Sequence, residues 1–134
     1  MPLWRRLYNT IWLAFFSCVL IPRWMGAYVG LPVHLLLGIG MVAVTQLNVR
    51  SLGAMAVPAR LKRISKATAM FAVFQIATGL ALGAVMHFAP NLSFVSLVLR
   101  GLHVVSALTI LAQASSAATA YDMWEEKEFG SGPS

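Results

Sequence analysis

The chain has 134 residues, 59% of them hydrophobic and only 10% charged. A water-soluble domain carries about a quarter charged residues, so that class is excluded, and the length bounds the chain to one small domain. The formal charge of +6 does not point to nucleic acid, because the basic residues stand at the ends of apolar stretches, where membrane topology accounts for them.

Four apolar stretches have the length of a membrane span. The first covers residues 7–25, with Trp4 and Trp12 near one end and Trp24 and Tyr28 near the other as interfacial anchors. Arg5 and Arg6 followed by an apolar run resemble a signal peptide. No small-x-small cleavage pattern follows, so the segment is expected to be a retained span. The lone cysteine, Cys18, lies inside it and excludes an intrachain disulfide. A short turn is expected over 26–31, and Pro32 suits the first turn of a second span over 32–51. Residues 53–66 are expected to form the one real loop, with Pro58, Arg60, Lys62, Arg63 and Lys66. The third span covers 67–88, and Ala89, Pro90 and Asn91 turn the chain. The fourth covers 98–119, with 92–99 an exposed or interfacial extension before it. A polar tail over 122–134 ends in a flexible Gly/Ser-rich segment.

Charge sets the orientation. With the N-terminus in the cytoplasm, Arg5, Arg6, Arg50, Arg60, Lys62, Arg63, Lys66 and Lys127 are inside, and only Arg23 and Arg100 are outside. The expected fold is therefore an all-α, four-helix transmembrane bundle. Both termini are cytoplasmic, and the expected location is a prokaryotic cytoplasmic (inner) membrane. The basic loop serves topology first and anionic lipid headgroups second.

Gln75, Gly79, Gly83 and His87 fall four apart, on one face of the third helix. Gly79 and Gly83 make a small-xxx-small line, which packs helices closely or clears space for a cofactor. Gln75, Gln113, Asn48, Thr45 and Thr78 are candidates for hydrogen bonds between helices. If Arg100 snorkels to the outer boundary, His103 lies one turn, about 5 Å, below it. His34 then sits at a similar depth, and His87 near the outer end of its helix. The three histidines collect in one leaflet on three helices.

A bis-histidine heme needs two imidazoles from facing helices, small residues beside them and cations near the propionates. His34 has Gly38 one turn inward, His103 has Ala107, and Arg100 and Arg23 supply outer-edge charge. The second and fourth helices can lie diagonally opposite in an up-down bundle. His87 is an interfacial residue, a quinone contact or an alternative iron ligand. Three imidazoles could also hold copper or zinc. Each histidine alone is explained by a hydrogen bond to backbone or lipid.

Three motifs resemble the heme A synthase family and related small membrane cytochrome b bundles. Pro32-Val33-His34-Leu35-Leu36-Leu37-Gly38 is similar to that family's histidine-led second helix. Phe74-Gln75-Ile76-Ala77-Thr78-Gly79-Leu80 is similar to its glutamine–glycine third helix. Leu102-His103-Val104-Val105-Ser106-Ala107-Leu108 is similar to its histidine-bearing fourth. The resemblance covers about residues 31–117, one four-helix half of a duplicated fold, and implies His34 and His103 as heme ligands. The turn over 26–31 lacks the acid and the cysteine pair of the family's oxidising half. A heme-binding scaffold is implied rather than a catalytic heme A synthase.

The function expected is a small heme-b bundle for electron transfer within, or as a subunit of, a membrane redox complex. Its partners would be larger membrane subunits and the bilayer. The alternatives are a cofactor-free accessory or assembly subunit packing against larger subunits, and an outer-leaflet copper or zinc site. Neither a phosphate loop, an HExxH motif, a nucleophile elbow nor an intramembrane carboxylate is present.

Overall fold

A computed structural model describes residues 1–19 and 26–130. It contains four α-helices: α1 (Leu3–Val19), α2 (Ala27–Ala54), α3 (Ala59–Phe88) and α4 (Ser93–Phe129). Among the described residues each helix packs against two neighbours, in the cyclic order α1, α2, α3, α4. The diagonal pairs, α1 with α3 and α2 with α4, bring no Cα atoms within 8 Å of each other. The result is an up-down-up-down bundle joined by short turns, as antiparallel neighbours require.

α2, α3 and α4 are long and apolar enough to cross a membrane, which makes the chain a multi-pass membrane protein. α1 is described for 17 residues. The rest of its expected span, with Pro22, Arg23 and Trp24, lies outside the described residues, as does 131–134 of the tail.

Three boundaries differ from the sequence expectation. The chain enters α2 at Gly26, whose φ of 76° is a left-handed conformation that glycine adopts without strain. Helix therefore begins at Ala27, and Pro32 lies inside it rather than at its start. The missing Pro32 N–H leaves the Tyr28 carbonyl without its helical donor. The expected loop over 53–66 is mostly helical as well, with only 55–58 outside α2 and α3. Pro58 stands at the α3 N-cap, and Leu61 and Ser65 turn inward, so the basic residues ride on an amphipathic first two turns. Finally, α4 continues through the acidic segment to Phe129, so that most of the tail is helix.

The core has two apolar layers. Leu3, Leu7, Leu52, Val57, Leu61, Ala117, Ala118 and Tyr121 close the end that holds both chain termini and the α2–α3 turn. Ala14, Met41, Ala72 and Ile110 form the next layer. Alanines at these levels let the backbones approach, which is how membrane helices gain packing energy without a hydrophobic driving force. Polar ties reinforce this end. Asn48 donates to Thr10 at 3.0 Å between α2 and α1, Arg6 donates to Ser51, and Tyr8 donates to Asp122. Thr45 is buried, but its hydroxyl turns back to Met41 and Val42 of its own helix. Gln113 Oε1 is buried without a partner among the described residues.

The far end is different. No side chain of α3 after Thr78, and none of α4 before Ser106, is buried. From His103 to the start of α4 is ten residues, about 15 Å of helix. The α3–α4 hairpin therefore reaches well past the last packed layer, with Phe88 82% and Phe94 75% exposed.

The packing makes a ranking testable. Leu52 is fully buried. Leu52→Ala should cost about 2–4 kcal/mol of unfolding free energy in mixed micelles. Thr10→Val, which removes one interhelical hydrogen bond, should cost about 0.6 kcal/mol. The reverse order would mean that polar ties, not packing, hold the closed end together.

Candidate functional site

His34 and His103 meet across the bundle. They belong to α2 and α4, the diagonal pair whose backbones stay apart, yet their ring centroids lie 5.9 Å apart with planes at 55°. The two rings fill the gap that the diagonal leaves open, at the boundary between the packed end and the open end.

Helix α3 positions His103. A Cβ on Gly79 would stand 3.0 Å from His103 Cε1 and 3.5 Å from Nδ1, so the ring lies directly against bare α3 backbone. One residue earlier, Thr78 Oγ1 is 3.3 Å from His103 Nδ1. The Thr78 hydroxyl proton is directed to its own helix, toward Phe74 O at 3.0 Å and Gln75 O at 3.1 Å. Thr78 can then serve His103 only as an acceptor. This assigns the imidazole proton to Nδ1 and leaves the Nε2 lone pair unused. One turn deeper, Ser106 of α4 donates to Gln75 Oε1 of α3 and also reaches His103 O at 3.1 Å. Two side-chain links therefore lock α3 to α4 around the ring. On the opposite side, His34 is half-buried and looks toward the Ser17 backbone of α1. Its Nδ1 is buried and has no hydrogen-bond partner among the described residues.

The two glycines of the α3 line have different roles. Gly79 is the close-contact point. Gly83, one turn outward, has no atom of the described residues within 4 Å of where a Cβ would stand. Of the two readings of the small-xxx-small line, close packing describes Gly79, and Gly83 stands beside open space among the described residues. Gly38 packs ordinarily, its Cβ position 3.7 Å from Ile76 Cγ1, and Ala107 is half-buried.

His87 is not part of this pair. It is exposed at the end of α3, with its ring against Phe88 at 4.6 Å. Among the described residues no three of histidine, cysteine, aspartate and glutamate gather as a metal site. Arg100 is exposed near the open end, and its Nη2 lies 3.6 Å from Met86 Sδ. It borders a hollow of about 170 Å³ with Val85, Met86, Ala89, Pro90 and Ser96. Arg23 lies outside the described residues.

Thr78 and Gly79 were legible only in part. Thr78 entered as a generic interhelical donor and Gly79 as a packing glycine, and neither pattern reveals that both address one histidine ring. No family model, no curated protein and no solved structure matches the chain.

The tautomer assignment can be checked without any cofactor. Ring nitrogen shifts of labelled protein in micelles should show His103 protonated on Nδ1. Thr78→Val should convert it to a mixture of tautomers while His34 is unchanged. An Nε2-protonated His103 in the parent protein would refute the assignment.

Proposed function

We propose that the chain is a small membrane cytochrome b in which His34 and His103 hold one heme. The observation that carries this reading is the meeting of two imidazoles from diagonal helices. A metal about 2 Å from one nitrogen of each ring, on the line between them, sets ring centres about 6 Å apart. The observed separation is 5.9 Å. The surroundings fit the group in three further ways. Among the described residues His34 Nδ1 is buried and unpartnered, the Nδ1–H tautomer of His103 keeps Nε2 free, and Gly83 leaves room beside the pair on α3. Arg100, one turn outward of His103, supplies positive charge for propionates.

Bound heme would supply reversible one-electron chemistry. The chain's own residues set its terms. Thr78 would accept a hydrogen bond from His103 Nδ1–H and so fix the ring's orientation, as partners of metal-bound imidazoles do. Gly79 fixes how close the ring lies to α3. The two apolar layers below the pair exclude water from the closed end. The basic residues of that end favour a cytoplasmic side for it by the positive-inside rule, and on that reading the histidine pair would lie in the outer leaflet of a prokaryotic inner membrane. Electrons would pass to larger membrane subunits or to a quinone near the open end. Catalytic heme A synthesis is not proposed.

A second reading is favoured by the exposed tip. Phe88, Phe94 and Leu97 lie outward of Arg100 along the hairpin and are all exposed. A cofactor-free accessory subunit would dock that tip on a larger subunit.

One spectrum decides between the readings. Protein purified from heme-replete cells should show a b-type α-band in the reduced-minus-oxidised difference. His34→Ala and His103→Ala should each lower retained heme at least tenfold, and His87→Ala should leave it unchanged. A colourless, folded preparation leaves the accessory reading standing. Loss of the band in His87→Ala instead would show that the ligand pair is wrong.

Gly83→Leu fills the open space on α3 without adding a contact to His103. It should lower heme retention more than it lowers the melting temperature of the heme-free protein. The opposite pattern would make Gly83 a packing residue after all.

A further inference from the structure

The chain's charges are segregated around the closed end. All four acidic residues, Asp122, Glu125, Glu126 and Glu128, lie on the last turns of α4. The α2–α3 corner carries Arg50, Arg60, Lys62, Arg63 and Lys66 and no acid. Topology alone accounts for positive charge at this end, and beside that charge the surface is shallowly indented. Between α2 and α3 lies a hollow of about 220 Å³, lined by Gln46 and Val49 of α2 and by Lys66, Ala69 and Met70 of α3. Its lining mixes polar and apolar groups. Lys66 and Gln46 offer an ammonium and an amide, whereas Val49, Ala69 and Met70 offer only hydrocarbon. Outward along α3, Met70 is 72% and Val73 50% exposed, so an apolar strip continues from the hollow toward the middle of the span. Lys62, by contrast, turns its ammonium to the Gly53 carbonyl at 3.3 Å and caps the end of α2. Lys66 is the exposed cation on the lining of the hollow.

We propose that the α2–α3 seam binds one anionic glycerophospholipid, with its phosphate on Lys66 and an acyl chain along Met70 and Val73. Charge complementarity selects the occupant. A cation-rich corner beside an apolar strip matches an amphiphile that carries negative charge at one end and hydrocarbon at the other. A soluble anion would leave the apolar wall uncovered. A zwitterionic lipid would bring its own ammonium beside Lys66. The site is independent of the histidine pair, which lies toward the opposite end of the bundle.

Native mass spectrometry of the full chain tests this. Protein released from neutral micelles containing equal phosphatidylglycerol and phosphatidylcholine should retain one phosphatidylglycerol, at least fivefold over phosphatidylcholine. Lys66→Gln should bring the ratio near one, and Lys66→Arg should restore it. Arg60→Gln removes the same charge outside the hollow and should leave the preference intact. Equal retention of the two lipids by the parent protein would overturn the proposal. So would an equal loss in Arg60→Gln, which would show diffuse attraction without a site. Inorganic phosphate that displaces the lipid at matched concentration would make the ligand a free anion and would also overturn it.

Discussion

The absence of a side chain at position 79 is the constraint on which the rest of the site depends. His103 lies with its ring edge where a Cβ on Gly79 would be, 3.0 Å away. A side chain there would require the ring to give way, by a few tenths of an ångström even for alanine. Glycine costs about 1 kcal/mol against alanine in a helix interior. Here that cost gives a fixed imidazole at the centre of a bundle whose diagonal backbones stay apart. The His103 ring holds its place because α3 lets the ring edge approach bare backbone at Gly79.

The bundle is asymmetric along its axis, and the asymmetry suits a site at its waist. Below the histidines, small residues and interhelical hydrogen bonds bind all four helices into two continuous layers. Above them, α3 and α4 continue with no buried side chain. Rigidity comes from the packed end, and access comes from the open one. The histidine pair at the junction is held by the first and borders the second. Segments with few buried contacts are also the ones that open at low free energy, so opening at the α3–α4 end disturbs the stable layers least.

Particular residues show how far the sequence could be followed. The spacing of Gln75, Gly79, Gly83 and His87 places them on one face, and the helix confirms the face. It does not treat its members alike. Gln75 bonds Ser106, Gly79 meets His103, Gly83 faces open space, and His87 turns to Phe88. A common face fixes direction from the helix axis, but what stands opposite depends on a neighbouring helix at each level. The basic run over 60–66 was similarly deceptive. Its charge suggested a loop, while Leu61 and Ser65 on the inner side make it the first turns of α3. Pro32 was assigned to a helix start because proline is favoured there. The left-handed Gly26 had already started the helix five residues earlier.

What the sequence determined by itself is the solvent and the number of helices. Apolar runs of span length, broken at Pro58 and Pro90 and flanked by one-sided positive charge, admit little besides a multi-pass bundle, because backbone polar groups in lipid must be satisfied within each segment. It also singled out His34 and His103 by depth. Only the tertiary structure decided that these two face each other on a diagonal while His87 does not join them. It also decided that Thr78 and Gly79 hold one of the rings. The physical reason is that depth follows from counting residues along a single helix. Which rings meet depends on the rotation of each helix about its own axis, and that rotation is set by the packing of all four together.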